Sequence, residues 1–349
     1  MRTVRAPLLA LLALAAIGPS IEAQSSLPIT LFERYVEALR VQSGIPGMSA
    51  AIVQDGRLVW DKGFGYQDVD ARVAAAADTP YPIFDLSQTL SSTVLLRQCM
   101  EEYYLDVADR VRRWDPQYSE PDTTVGQLLS HASPSGGYRY DPGRFAALTG
   151  VLYQCAGQGY PLLLAQGLLD RLGMAESVPG ADLADTSSPS RRPFGDQRLE
   201  RYTAVLERLA VPYKVDGRGR PVRSTAPQGT LSASTGVVST VRDLARFDAA
   251  LDDGVLLASG TLSRAWQPVG SMPTGLGWFV QQYGGERVVW HFGLARDAYS
   301  SLIIKVPGRG LTLILLANSD GLAGPPYDLS DGDVTSSLFA GLFLRLFVG

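Results

Sequence analysis

The sequence has few of the residues that carry metal and redox chemistry. Its 349 residues include two cysteines and two histidines. Neither cysteine lies in a spacing typical of metal ligands, and protein zinc sites usually need three or four cysteine, histidine or carboxylate ligands. We therefore expect no metal and no cofactor.

Strong charge of either sign is also missing. The formal net charge is -4, and charged residues make up 19% of the chain. This composition gives no reason to expect binding to nucleic acid or to an anionic membrane surface. The hydrophobic fraction of 46% over 349 residues is enough for a sizeable core, in one large domain or two interleaved ones.

Long apolar runs are absent except at the N-terminus. Arg2 and Arg5 precede an apolar stretch, residues 6–18, and a plausible cleavage region ends at Ala23. A membrane anchor fits less well, because the run is shorter than about 18–20 residues. Residues 1–23 therefore predict a signal peptide, and the mature chain is expected to be exported, either periplasmic or secreted.

The two cysteines, Cys99 and Cys155, both fall in predicted helices. An exported protein can form a disulfide, provided that the two Cα atoms come within about 7 Å. Two separately buried thiols fit the sequence equally well. Both interpretations stay open at this point.

Periodicity predicts a sheet assembled from the two ends of the chain. A helix over residues 29–41 precedes two strands, 48–53 and 58–63, which flank the hairpin signal Asp55-Gly56. Near the C-terminus the apolar period is two again. The strands predicted there are residues 277–283, 287–292, 299–306 and 311–317, followed by a helix over 334–347.

Helical spacing dominates the middle of the chain. The predicted helices cover residues 87–104, 145–155, 161–172 and 239–251, and residues 176–197 form a polar surface loop. The fold class is therefore α/β (α+β). We expect a sheet subdomain of about residues 24–85 and 270–349, with a helical insert of about residues 86–269, together forming one domain over 24–349.

Ser87 begins the first of these central helices. Its hydroxyl could simply cap the helix, or it could act as a nucleophile at a helix N-terminus, where the dipole favours a developing anion. A nucleophilic serine also needs a base. One helical turn later, the position that could supply a base is occupied by Leu90.

Six short segments carry a family resemblance when they are taken together and in order. They are Phe84–Ser87 with the following 99–109, then 124–133, Leu172-Gly-Met174, 239–247, Gly275-Leu-Gly-Trp278 and Trp290-His-Phe-Gly293. In this order they resemble the β-lactamase-related serine hydrolases, a family of class C β-lactamases, DD-carboxypeptidases (penicillin-binding proteins) and esterases. The resemblance implies an antiparallel sheet flanked by helices, with an inserted helical domain, and it implies that the histidine of segment 124–133 is structural.

The family's first motif is Ser-x-x-Lys, in which the lysine helps to remove the proton of the serine. Here the motif reads Ser87-Gln-Thr-Leu90, so the serine is kept and the lysine is missing. The three lysines of the chain do not restore the motif elsewhere, because none follows a serine by three residues. They are Lys62, Lys214 and Lys305.

The resemblance assigns the remaining site residues. Tyr-x-Asn corresponds to Tyr140-Asp-Pro142, which keeps the phenol and loses the amide. His-x-Gly corresponds to His291-Phe-Gly293, with Gly293 at the substrate. The backbone N–H groups of Ser87 and Leu294 would form the oxyanion hole.

The resemblance therefore implies an exported serine-hydrolase-like protein whose ligand is a small molecule, an ester or a peptide, for example one derived from the cell wall. Tyrosine at its usual pKa is only about 0.1% ionised at pH 7, so Tyr140 is a poor base without a neighbouring cation. We expect impaired catalysis, in a pseudoenzyme or ligand-binding protein. The alternative is an active acyl hydrolase that uses Ser87 with Tyr140 and with His291 as the base.

Overall fold

The computed structural model describes residues 27–227 and 231–349. The predicted signal peptide, residues 1–23, lies outside the described residues. Within the described ranges, no helix is long and apolar enough to cross a membrane.

A seven-stranded antiparallel sheet lies at the centre of the fold. The described residues form eleven strands, seven of which belong to this sheet: β1 (Gly47–Gln54), β2 (Arg57–Asp68), β3 (Val73–Ala74), β4 (Tyr81–Pro82), β5 (Tyr213–Val215), β6 (Pro221–Arg223), β7 (Val238–Ser239), β8 (Phe279–Tyr283), β9 (Glu286–Ala295), β10 (Tyr299–Val306) and β11 (Leu311–Ala317). The sheet has the order β3-β2-β1-β11-β10-β9-β8, while β4 pairs with β7 and β5 with β6. The first and last parts of the chain thus meet where β1 pairs with β11.

Helices lie on both faces of this sheet. They are α1 (Leu27–Gln42), α2 (Ser87–Leu95), α3 (Val125–Leu129), α4 (Pro142–Phe145), α5 (Leu148–Ala156), α6 (Tyr160–Leu164), α7 (Asp196–Leu206), α8 (Val241–Asp252), α9 (Ser259–Ala265) and α10 (Leu338–Phe347). Several predicted helices are divided. Residues 87–104, for example, form α2 and a π-helical turn, Leu96–Glu101. The α/β (α+β) class, with an antiparallel sheet flanked by helices, is confirmed.

The two faces of the sheet bury two separate cores. Along β1, Ala50 and Ile52 pack on the face covered by α1 and α10, whereas Ala51 and Val53 pack on the face covered by the central helices. Successive side chains of a strand point to opposite faces. Strands covered on both sides are therefore almost continuously apolar, as seven consecutive buried residues in β1 illustrate.

A buried ion-pair cluster joins α8 to the sheet. The Nζ atom of Lys305 in β10 lies 2.9 Å from Asp248 Oδ1 and 2.6 Å from Asp252 Oδ2. It also lies 3.2 Å from the hydroxyl of Thr312 in β11. Burial opposes the charge, but the two carboxylates hold the pKa of Lys305 above its ordinary value. The ammonium group is thus committed to this cluster.

A disulfide crosses the helical part of the fold. Cys99, in the π-helical turn after α2, is bonded to Cys155 of α5, and their Cα atoms lie 5.9 Å apart. Of the two interpretations that the sequence left open, the bridge is the one that the structure shows. The bridge fixes the C-terminal end of the α2 segment against its neighbour.

Replacing Lys305 is predicted to destabilise the protein strongly. Lys305→Met leaves Asp248 buried without its cation, and breaking a buried pair in this way costs about 3–5 kcal/mol in the free energy of unfolding. The matched control is Lys62→Met, because Lys62 pairs with Glu33 at the surface and exposed pairs contribute about 0–1 kcal/mol. Urea unfolding measures both, and equal losses in the two variants would contradict the assignment.

Removing the disulfide is predicted to cost about 2–4 kcal/mol, because the bridge restricts the unfolded chain by closing a loop with a sequence separation of 56 residues. The variant is Cys99→Ser together with Cys155→Ser, compared with the wild type in urea with and without reductant. Reductant should lower the midpoint of the wild type and leave the double variant unchanged. If reductant did not change the urea midpoint of the wild type, the bridge would be absent or would contribute nothing to the free energy of unfolding.

Candidate active site

A cleft of about 820 Å³ lies where the C-terminal end of β9 meets loops of the helical part. Its lining comes from residues 82–85, 181–185, 226–227, 235–236 and 294–299, together with Leu209. The loop over 176–197, predicted from the sequence as an irregular surface segment, therefore forms one wall. Among the predicted site residues, Leu294 lines this cleft.

A short 3₁₀ turn, Phe84–Leu86, leads from the cleft into α2. Phe84 has a φ of +47°, which is a costly backbone conformation for a bulky residue. The turn is held against the sheet at Gly293, where a Cβ atom would lie 2.0 Å from the carbonyl oxygen of Ile83. The hydroxyl of Ser301 donates to that same oxygen over 2.8 Å. These contacts present Asp85, in the middle of the turn, to the cleft.

Ser87 follows this turn and does not line the cleft. Its side chain is fully buried, and its hydroxyl oxygen accepts a hydrogen bond of 3.3 Å from the backbone N–H of Val237. Its own N–H points to the carbonyl oxygen of Phe84, so that N–H is already used. Both the hydroxyl and the N–H of Ser87 thus have partners within the chain. The nucleophilic and oxyanion roles of Ser87 stay predictions, and no side-chain cap bond is formed at the start of α2.

The helical twist explains this arrangement. Consecutive residues of a helix are rotated by about 100°, so residues two apart point to roughly opposite sides and residues three apart share a face. Ser87 is two residues after Asp85 and does not line the cleft, although its hydroxyl is hydrogen-bonded to Val237, which follows Gly236 of the lining. Gln88 is three residues after Asp85 and lies on its side of the helix, whereas Leu90 is completely buried in the hydrophobic core.

Asp85 brings a carboxyl group to the cleft without a cationic partner. Its nearest polar neighbours are the hydroxyl groups of Tyr140 and Ser234. No lysine or arginine in the described part of the chain forms an ion pair with it. Burial raises the pKa of Asp85 to about 7, against the smaller lowering effect of the two hydroxyl groups. Near neutral pH the carboxyl group is therefore divided between its protonated and ionised forms.

Gln88 belongs to a chain of neutral hydrogen bonds. The N–H of Asp141 donates to His131 Nδ1 over 3.1 Å, so the ring proton of His131 is on Nε2. Nε2 then donates to Gln88 Oε1 over 2.8 Å, and Gln88 Nε2 donates to Ser234 Oγ over 3.2 Å. Burial and the nearby His291 lower the pKa of His131 to about 3, so the chain carries no positive charge at neutral pH.

Tyr140 lies next to Asp85 and Gln88 but is not a base. Its hydroxyl is buried, and neither neighbour completes a hydrogen bond of normal geometry with it. Burial, reinforced by the charge of Asp85, raises the pKa of Tyr140 well above its ordinary value. The phenol stays protonated at neutral pH. Its ring packs 4.5 Å from the ring of His131 and 5.3 Å from that of Phe292, between centroids.

His291 belongs to the same aromatic cluster, with its ring centroid 5.4 Å from that of Phe279. Its Nδ1 atom lies 2.8 Å from the carbonyl oxygen of Phe292, and burial lowers the pKa of His291 to about 4. The structure thus brings Tyr140 and His291 into one cluster, and Ser87 forms no hydrogen bond with either. Gly293 meets the turn that carries Asp85.

The sequence analysis did not identify Asp85, Gln88 and Ser234 as site residues. A signal was nevertheless present, since Asp85-Leu-Ser-Gln88 has the same spacing as Ser-x-x-Lys and starts two residues before Ser87. This signal was missed because the family motif has a serine, and not an aspartate, at its first position. As for metals, residues 27–227 and 231–349 contain no group of three or more histidine, cysteine or carboxylate side chains that could hold an ion.

Asp85→Asn is predicted to stabilise the protein at alkaline pH. Between about pH 4 and pH 7, folded Asp85 keeps a proton that the unfolded chain releases, so wild-type stability falls as the pH rises through this window. Asparagine resembles the protonated carboxyl group, so the variant should match the wild type near pH 4 and exceed it at pH 8. The difference, up to about 4 kcal/mol for a shift of about three pKa units, is measured by urea unfolding.

The control is Asp122→Asn, which alters an exposed carboxylate paired with Arg110. It should not change the pH profile of stability. Parallel wild-type and Asp85→Asn profiles would mean that the Asp85 carboxyl group has an ordinary pKa.

Comparison with known proteins places this chain in a family. Two relatives match over short segments. "Protein flp" of Staphylococcus aureus is 33% identical over 95 residues, 26% of this chain and 19% of the relative. "Serine beta-lactamase-like protein LACTB, mitochondrial" of Homo sapiens is 30% identical over 110 residues, 30% of this chain and 20% of the relative. The matched segments thus span about a fifth of the length of either relative.

Solved structures agree over most of the fold. The octameric penicillin-binding protein homologue from Pyrococcus abyssi has a TM-score of 0.71 and 20% identity, and the match covers 84% of this chain and 74% of that one. D-amino acid amidase from Ochrobactrum anthropi SV3, complexed with L-phenylalanine, has a TM-score of 0.70 and 19% identity, with 90% and 98% covered. The family model described as Beta-lactamase matches residues 32–331. The chain therefore belongs to the Beta-lactamase family.

Proposed function

We propose that this protein is a catalytically impaired member of the family that keeps its cleft as a ligand-binding site. The observation that carries the proposal is that a carboxyl group, Asp85, faces the cleft where serine acyl transfer needs a hydroxyl. Acyl transfer also needs a base beside that hydroxyl. Gln88, at the lysine spacing, has an amide side chain that cannot take a proton at neutral pH.

No lysine from elsewhere in the chain supplies the missing cation. Lys305 is held by Asp248 and Asp252, and Lys62 pairs with Glu33 on the surface. The third lysine, Lys214, is exposed on β5. Without a cation the phenol of Tyr140 stays protonated, which supports impaired acyl transfer.

The second family motif, Tyr-x-Asn, also lacks one of its polar side chains in this chain. The position of its asparagine holds Pro142, which is the first residue of α4, while Asp141 caps that helix by accepting a hydrogen bond from the N–H of Arg144. Where the family motif has an amide donor, this chain therefore has the first residue of a helix. This difference supports the proposal that the pocket keeps its shape but lacks the reactive groups of the family.

The class of ligand is proposed from the structural relatives of this chain. The structural relatives include proteins described as a penicillin-binding protein homologue and a D-amino acid amidase, so the cleft suits a small molecule, an ester or a peptide. Export through the segment 1–23 belongs to the same proposal. The competing function, an acyl hydrolase that uses Ser87 with Tyr140 and His291, would require the buried Ser87 hydroxyl to reach the cleft.

Covalent labelling tests the proposal. A fluorophosphonate probe and a fluorescent penicillin are expected to leave the wild type unlabelled. Asp85→Ser combined with Gln88→Lys restores a hydroxyl and a base at the family spacing, and it should raise the labelling rate by at least about 10²-fold, because a positioned base contributes about 10²–10⁴-fold. Turnover of p-nitrophenyl esters provides a second readout.

The matched control is Leu90→Lys, which restores the motif in the register that begins at Ser87. Because Leu90 is completely buried in the core, this variant should be destabilised and remain unlabelled. Wild-type labelling that disappears in Ser87→Ala would contradict the proposal and establish the hydrolase.

A further inference from the structure

We propose that the cleft binds an organic cation, with its charged nitrogen at the Asp85 carboxyl group and its apolar body against Phe84 and Tyr299. The inference rests on the proposed function, because it takes the cleft as a site of binding and not of acyl transfer. It adds the chemical class of the ligand.

The charges that line the cleft favour a cation. Three carboxylates face it, from Asp85, Asp182 and Asp185, against one guanidinium group, from Arg296. Asp185 is partly satisfied by the backbone N–H and the hydroxyl of Ser187. The other two carboxylates have only hydroxyl groups as partners.

Neither Asp85 nor Asp182 forms an ion pair with a lysine or arginine within the described residues. Asp182 Oδ2 accepts from the Ser188 hydroxyl over 2.9 Å, but its Oδ1 is buried without a hydrogen-bond partner. Asp85 has only hydroxyl groups beside it, and the buried Tyr140 hydroxyl is itself without a complete hydrogen bond. Buried charges are normally paired, because leaving them unpaired is costly. A bound ammonium or amidinium group would supply the absent counter-charge.

The walls next to Asp85 suit an apolar body. The rings of Phe84 and Tyr299 stack with centroids 6.0 Å apart and an interplanar angle of 29°. The Tyr299 hydroxyl donates to the carbonyl oxygen of Ala210 over 2.5 Å, which fixes that ring in place. Leu209 and Leu294 extend the apolar lining. The volume of about 820 Å³ is in the range of sites for drug-sized molecules, and aromatic faces also attract cations.

The test uses three probes that share one body and differ in charge: phenethylamine, phenethyl alcohol and phenylacetate. Isothermal titration calorimetry on the folded chain is expected to show binding of the amine and at least tenfold weaker binding of the alcohol and the acid. Asp85→Asn should weaken binding of the amine at least tenfold. The control variant Asp122→Asn, outside the cleft, should bind it like the wild type.

The pH dependence provides a second readout that a merely structural role for Asp85 would not produce. The charged or titratable groups that line the cleft or lie next to Asp85 are Tyr140, Asp182, Asp185, Arg296 and Tyr299, and His131 and His291 belong to the same aromatic cluster as Tyr140. Both histidines are neutral between pH 6 and 8, and both tyrosines are protonated there. Binding of the amine should therefore strengthen about tenfold from pH 6 to pH 8 as Asp85 ionises, and Asp85→Asn should abolish the change.

The outcomes separate this inference from the proposed function. Three outcomes would overturn the cation site: equal binding of the amine and the alcohol, preferential binding of phenylacetate at Arg296, or no binding of any probe. None of them would contradict the proposal of impaired acyl transfer. Serine-dependent labelling of the wild type would overturn the proposed function, whatever the amine does.

Discussion

The carboxyl group of Asp85 lines the cleft, and its polar neighbours are two hydroxyl groups. Within the described part of the chain, no lysine or arginine forms an ion pair with it. A buried carboxyl group in this setting favours its protonated form, and its pKa of about 7 follows. Gln88 is an amide and both histidines are neutral at pH 7, so the positive charge that lines the cleft comes from Arg296. This arrangement supports the cation site inferred above, whereas a serine hydrolase needs a base beside a hydroxyl.

The strand part of the fold was predictable from the sequence because its signals are local. Residues 299–306 and 311–317 form strands with the predicted bounds. The hairpin turn has positive φ at both Asp55 and Gly56, 50° and 71°, as a two-residue turn of this type requires. Helix bounds in the middle were less accurate, because a π-helical turn changes the hydrogen-bond spacing without changing the apolar pattern. The helix α7, which is polar along much of its length, was not predicted.

The site could be predicted only in part, for a geometric reason. The family segment, Tyr140 and His291 were found, and the structure places the last two in one aromatic cluster. Asp85 lines the cleft and Ser87 does not, which depends on how the turn packs against the sheet. That packing includes the close approach of Gly293 to the carbonyl group of Ile83, and such a long-range contact is not visible in local patterns.

The central claim concerns one ionisable group, and carbon-13 NMR can observe it directly. Labelled aspartate would give a carboxyl signal for Asp85, assigned by its absence in Asp85→Asn, and its titration gives the pKa without reference to stability or ligands. We predict a midpoint near 7. A midpoint near 4, the ordinary range of an aspartate, would contradict the account, because it would mean that Asp85 is solvated or paired with a cation.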